Sequence, residues 1–413
     1  MTRRQATMQV ISEYSLPLIL GIAVAMFLAN WAPVAYESFL NTPLFHIGPF
    51  EATFKRLINE VFMAFFFGLA TKELVEAMLP GGCLENPKRA LNPILATIVG
   101  AVIPALLYVG LVFLFLENTA LWKGLSIPIA TDIAFAWLGA RLLFGPGHPA
   151  IQFLLLLAIL DDAIGMIVLA LFYPHPTHGF VLPWVGLIVV AVAIAYALRK
   201  KGVQGWGWYI GSAGVVSWFG MVEAGLHPAL SLAIIVPFIP WPKRDLGLYT
   251  ESTEENEERS PLSCFATQIS PFIEYGLFFF ALANAGVAIT ANSFTALTAI
   301  IFVSLVGGKL IGISLAAIMG HAAGLSYPQG VRTRHLPILG LLAGIDITVS
   351  LFLADRIFGG TPYEDAAKLG PILTLLIPLV LLLFYALRKT VLGERFASWS
   401  TLIRRRTQKS KSY

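Results

Sequence analysis

Apolar residues gather along this chain into twelve blocks, near 13–31, 59–78, 90–116, 124–143, 150–172, 183–198, 206–223, 226–240, 270–290, 294–319, 336–355 and 369–387. A helix crosses a bilayer with about 20 apolar residues, so the pattern predicts an all-α polytopic membrane protein of twelve spans. An even count puts both termini on one side. Basic loop residues mark the cytoplasmic face. With the N-terminus inside, 21 of the 28 Lys and Arg fall in cytoplasmic segments, five outside (Lys55, Arg56, Lys123, Arg356 and Lys368), and only Lys72 and Lys309 within spans. The asymmetry predicts cytoplasmic termini and agrees with the count of spans.

The blocks run through nearly the whole chain, so residues 1–413 read as a single transmembrane domain. One polar insert interrupts them, the cytoplasmic loop 241–268, where Glu251, Glu254, Glu255, Glu257 and Glu258 are too densely charged to pack. A basic tail follows from 388 to 413. On the outside, Pro43–Leu44–Phe45–His46–Ile47–Gly48–Pro49–Phe50–Glu51 places a Gly-Pro turn between apolar runs, which predicts a surface hairpin and gives a hint of a homodimer. Composition supports the membrane reading, since 57% hydrophobic and 13% charged residues with a mean hydropathy of +0.76 exceed what a soluble domain of this length hides. Cys83 and Cys264 fall in different loops and the seven histidines lack metal-ligand spacing, so neither a disulfide framework nor a bound cofactor is expected. The net charge of +4 belongs to the basic loops and does not suggest nucleic acid.

Against this apolar background two adjacent carboxylates stand out, Asp161 and Asp162, inside the run from Ile151 to Phe172. A charge at the centre of a spanning helix costs roughly 2.5–3.5 kcal/mol on insertion scales, which argues against an incidental pair. Consecutive helical residues point about 100° apart, so the two address different neighbours. One would line a watery cavity and the other meet a cation on another helix, for which the chain offers Lys309. The blander alternatives are a helix that ends early in headgroup water and a lysine that snorkels to the surface. Two further spans look interrupted beside a carboxylate. The fourth carries Ile127–Pro128 ahead of Thr131–Asp132, and the eleventh carries Gly340 and Gly344 ahead of Asp346. Interrupted spans at corresponding places in two halves of a transporter mark an ion site, because unwound backbone exposes helix ends and carbonyls at mid-depth.

The combination of Ala130–Thr131–Asp132–Ile133–Ala134–Phe135–Ala136, Leu157–Ala158–Ile159 with Asp161–Asp162, Gly225–Leu226–His227, Ala283–Asn284–Ala285–Gly286 and Gly308–Lys309 with Gly312–Ile313–Ser314 resembles the NhaA-type sodium/proton antiporters over nearly the whole chain. The resemblance implies a bacterial inner-membrane protein in which spans three to five and ten to twelve form an inverted repeat, with the broken fourth and eleventh spans crossing. It implies Asp162 as the main sodium and proton ligand, Asp161 beside it and able to pair with Lys309, Asp132 with Thr131 at the crossing, and His227 in a response to pH. The transported ions would be Na+ and H+, with Li+ as a further substrate. The chain departs from the family pattern at Ala70, where a glutamate of the cytoplasmic pH-sensing cluster is expected, and at Asp346, where a glycine is expected. Asp346 either caps the exposed amides of the broken helix or faces Asp132 as a second carboxylate of a shared site.

Competition of sodium and protons for one set of carboxylate oxygens yields exchange if only the loaded forms switch between inward and outward states. Two rivals remain: a sodium/organic-solute symporter on a similar scaffold, and an intramembrane aspartyl protease using Asp132 and Asp346 as a dyad. The protease leaves Asp161, Asp162 and Lys309 without a task.

Overall fold

A computed structural model of the chain describes residues 15–47, 50–85, 87–145, 147–173, 180–242, 260–290, 293–325, 327, 330–381 and 383. The basic N-terminus, the glutamates of the 241–268 loop, the Gly48–Pro49 turn and the tail from 388 lie outside these residues. Helix α1 spans Leu16–Trp31 and α2 Pro33–Asn41. The expected hairpin follows, with strands β1 (Pro43–Ile47) and β2 (Phe50–Thr53) paired antiparallel so that His46 faces Glu51. The chain then enters Phe54–Leu57, a π-turn at Ile58–Phe62, and helix α3, Met63–Ala77. Helix α4 is Pro87–Phe115, α5 Ile133–Phe144, α6 Pro149–Phe172, α7 Leu182–Lys200 and α8 Val215–Ala224. The second half contains α9 (Pro261–Asn284), α10 (Ala296–Val303) joined through a π-turn to α11 (Lys309–Ala322), α12 (Leu336–Ala343), α13 (Thr348–Phe358) and α14 (Glu364–Leu373).

Among the described residues five helices are long and apolar enough to cross a membrane, or six when Thr333–Ala343 and Thr348–Phe358, bent by 45°, are taken together. The mostly helical chain is a polytopic membrane protein. One apolar block departs from the expected helix. Residues 226–240 coil through 3-10 turns at Pro228–Leu230 and Val236–Phe238, with amides bonded three residues back, as in Ser231 to Pro228 and Phe238 to Ile235. Pro228, Pro237 and Pro240 supply no backbone donor, and an α-helix through them would lose its ladder. Hydropathy registers the burial of this block and not its winding.

Burial sorts the helices into centre and rim. The span within α6 is 56% buried against other protein, whereas that of α7 is only 11% buried and turns its Leu182, Val189 and Tyr196 outward. Helix α6 is therefore central, packed by α3, α4, α5 and α12. Helix α4 packs closely along α11 through small residues, the usual way membrane helices approach when lipid is as apolar as leucine. A methyl placed on Gly312 would lie 2.9 Å from the Val99 carbonyl, and one on Gly308 would run into the Cα, Cβ and Cγ of Pro104. Gly307 next to it meets only a Val303 side-chain carbon at 3.8 Å. We expect Gly308→Ala to lower stability by about 1–3 kcal/mol through overpacking against backbone, and Gly307→Ala to melt like the parent. Thermal unfolding of both variants in detergent checks this pair.

Between α4 and α5 a 3-10 helix, Thr119–Ser126, ends in turns at 127–129, and residues 130–132 leave the helical path before α5 begins. Between α12 and α13 the residues Gly344–Ile347 do the same. Both segments lie against α6 or its packing partners, and they touch each other directly: the Asp132 amide donates to the Ile345 carbonyl at 2.8 Å.

Candidate ion-binding site

A helix end leaves amides or carbonyls without intrahelical partners, and inside a membrane these must be met by other protein groups or by an ion. The two interruptions answer one another in this way. Asp132 caps α5, its Oδ1 accepting from the amides of Ala134 at 3.1 Å and Phe135 at 3.3 Å. Its Oδ2 accepts from the Thr348 hydroxyl at 3.2 Å, across the gap on α13. At the open end of α12 the Ala343 carbonyl lies 2.7 Å from the Thr131 hydroxyl. At the end of the preceding segment the Ile127 carbonyl lies 2.6 Å from the Ser350 hydroxyl. Asp132 thus caps α5, and the carboxyl of Asp346 accepts from the backbone of Ser350 in the first turn of α13.

Helix α6 brings its two carboxylates to this meeting point on different faces. Asp161 Oδ2 sits 2.5 Å from Lys309 Nζ and 2.7 Å from the Thr131 hydroxyl, and both Asp161 and Lys309 are fully buried. The lysine is anchored in the protein interior at the start of α11 and does not snorkel. Asp162 is also buried, yet its Oδ1 has no hydrogen-bonding partner among the described groups. Asp161 Oδ1 and Asp346 Oδ1 share that condition. Unpartnered buried oxygens are rare in native proteins and call for an explanation such as an ion. Asp162 lies within electrostatic reach of Asp346, Asp161 and Asp132, with Lys309 as the opposing charge.

Asp346 accepts from the Ser350 hydroxyl at 2.7 Å and lies within electrostatic reach of Asp132 and Lys309. His227 lies at the start of the 3-10 turn Pro228–Leu230. It is buried, its Nδ1 accepts from the Ala229 amide at 3.3 Å, and its ring packs edge-on against Phe352 with centroids 5.0 Å apart. The other intramembrane lysine, Lys72, is bonded on its own helix by Glu76 at 2.7 Å and Glu73 at 3.2 Å. Cys83 and Cys264 are both free thiols. Two hydroxyls that sequence reasoning did not single out, Thr348 and Ser350, prove to link the interruptions. Ser350 stands four residues after Asp346, a spacing that shares a helix face, whereas Thr348, two residues after it, has no such signal.

No three His, Cys, Asp or Glu side chains among the described residues close around one point. The carboxylates are therefore not a rigid multidentate cage. A hard monovalent cation here would take oxygens from one or two carboxylates and complete its shell from hydroxyls, carbonyls or water.

Buried carboxylates on a central helix, a buried ammonium and two interrupted segments that exchange hydrogen bonds define an ion-coupled membrane transporter. The family model described as Na+/H+ antiporter 1 matches residues 5–385. The chain is 43% identical over 365 residues to the Na(+)/H(+) antiporter NhaA of Geotalea uraniireducens, covering 88% of this chain and 92% of that protein. It is 42% identical over 362 residues to the protein of the same name from Geobacter sulfurreducens (88% and 92% covered), and 40% identical over 371 residues to that of Desulfitobacterium hafniense (90% and 93%). The chain belongs to this sodium/proton antiporter family.

Proposed function

We propose that the chain exchanges cytoplasmic sodium for external protons across a bacterial plasma membrane, and that Asp162 is the group for which the two ions compete. Family membership and the relatives' printed activity support exchange over symport, and they place the chain among transporters and not enzymes, which removes the protease reading. The observation that carries the site assignment is the unpartnered Asp162 Oδ1 beside an Asp161 already held by Lys309. Asp161 is charge-compensated in place, and Asp162 is left to take a cation or a proton. Asp132 and Thr131 complete the surroundings from the other interrupted segment.

In this reading the chain crosses the membrane twelve times with both termini inside, and the fourth and eleventh spans are the broken pair. Lys55, Asp355, Glu364 and Lys368 belong to segments placed at the outer surface, and they gather in one cluster with Lys55 at 2.6 Å and Lys368 at 3.0 Å from Asp355. The ion pairs support these segment ends sharing one side of the membrane. The β1–β2 hairpin beside this cluster is the surface through which two copies would pair. Lithium, a smaller cation of the same chemistry, would follow sodium. Net movement of charge would couple exchange to the membrane potential, worth about 2.3 kcal/mol per charge per 100 mV. His227 would respond to pH through its Nδ1, because a protonated ring nitrogen can no longer accept the Ala229 amide.

Purified protein in acid-loaded vesicles with an entrapped pH-sensitive dye gives the test. Sodium and lithium added outside should dissipate the pH gradient, and potassium should leave it standing. Equal responses to all three cations, or none to any, would contradict the proposal.

A further inference from the structure

A hydroxyl bonded to both a carboxylate and an opposite carbonyl occurs twice at the crossing, with the carboxylate supplied by α6 in one case and by the second interrupted segment itself in the other. Thr131 Oγ1, on the first segment, lies 2.7 Å from both Asp161 Oδ2 and the Ala343 carbonyl at the end of α12. Ser350 Oγ, on the second, lies 2.7 Å from Asp346 Oδ2 and 2.6 Å from the Ile127 carbonyl of the first. In each set one hydroxyl ties a carboxylate to the open carbonyl of the opposite segment. The sets differ in charge. The first contains a fixed cation, Lys309, 2.5 Å from its carboxylate. No Lys, Arg or His among the described residues forms an ion pair with Asp346, which is fully buried and has a partnerless Oδ1.

Charge balance makes that difference consequential. Asp162 lies within electrostatic reach of three further carboxylates, Asp132, Asp161 and Asp346, and only Lys309 opposes them there. With all four carboxylates ionised, one transported cation at Asp162 leaves two negative charges uncompensated in the interior, a condition that buried charges avoid by taking up protons, by pairing or by binding ions. The Ser350 set offers carboxylate, hydroxyl and carbonyl oxygens, each of the two outer ones within hydrogen-bonding distance of the central Oγ. Such oxygens are the ligands that small hard cations take.

We propose that Asp346, Ser350 and the Ile127 carbonyl form a second cation subsite, which holds a sodium or lithium ion in addition to the one at Asp162. The proposal rests on the exchange reading above and deepens it. Each chain then carries two sodium ions at saturation, and the Asp346 subsite is the one of the two sets without an ion-paired ammonium. Where the first set stabilises its carboxylate with a permanent ammonium, the second does so with a removable ion.

Direct counting tests this without reference to transport. Radioactive sodium bound by the purified protein in detergent, at one fixed alkaline pH, should saturate near two ions per chain. Asp346→Asn should reduce the count to about one. Ser350→Ala, which leaves every charge in place, should keep the count near two and weaken one of the two affinities by about tenfold. Asp162→Asn should also bind about one ion, and that remaining ion should be lost in the Asp162→Asn/Asp346→Asn double variant. A wild-type count of one, with count and affinity unchanged by Asp346→Asn and Ser350→Ala, overturns the second subsite and leaves the Asp162 assignment standing. A wild-type count of zero overturns both. Should Asp346→Asn fail to fold, an unaltered pair of affinities in Ser350→Ala suffices to overturn the proposal.

Discussion

Asp162→Asn should abolish sodium-dependent proton movement in reconstituted vesicles, a loss of at least about a hundredfold, while the protein still inserts and melts near the parent. An amide keeps the shape of the carboxyl but releases no proton at physiological pH and offers an ion no counter-charge. The substitution should be structurally mild because Asp162 Oδ1 makes no hydrogen bond that folding depends on. Asp161→Asn should also impair exchange, by a different route: it strands the Lys309 ammonium in the interior and so should lower stability as well. Exchange rates and melting temperatures of the two variants, measured side by side, separate an ion-carrying carboxylate from a charge-compensated one. Wild-type exchange in Asp162→Asn would refute the site assignment.

Lys309→Ala should be the most destabilising of the single changes in the core. The ammonium is fully buried and 2.5 Å from Asp161 Oδ2, so its removal leaves a carboxylate withdrawn from water with only the Thr131 hydroxyl to satisfy it. Breaking a buried pair by removing one partner costs about 3–5 kcal/mol. Lys309→Arg keeps the charge but not the compact ammonium, and it should melt between the parent and Lys309→Ala. Unfolding in detergent reads the order directly. Equal melting of all three forms would show that the pair contributes nothing to the fold.

The sequence made the charged part of the site visible and hid the neutral part. Asp161, Asp162 and Lys309 stand out because a charge in an apolar run is conspicuous, and their meeting in space could be anticipated from the need to compensate one of them. Pro128 and Gly344 likewise mark where helices stop, since one lacks an amide donor and the other lacks a side chain. The groups that link the two interruptions carry no such mark. Thr348 and Ser350 look like ordinary hydroxyl residues of a membrane helix, and the Ile127 and Ala343 carbonyls have no signature in the sequence at all. Residues 226–240 illustrate the other limit: their hydropathy reads as a span, but His227 capping and three prolines wind them into 3-10 turns. Asp346 invited two readings because a carboxylate ahead of a helix can cap it or face a like charge. Asp132 holds the amides of α5, while Asp346 is bonded by Ser350 from within α13.

That sodium and protons compete for Asp162 is the centre of the account, and it has a direct measurement. Purified protein in a weakly buffered detergent solution, with a pH indicator present, is mixed with sodium chloride against a potassium chloride control. The account predicts proton release that saturates with sodium, is absent with potassium, and falls sharply in Asp162→Asn. Sodium binding without proton release, or release that persists undiminished in Asp162→Asn, would contradict it.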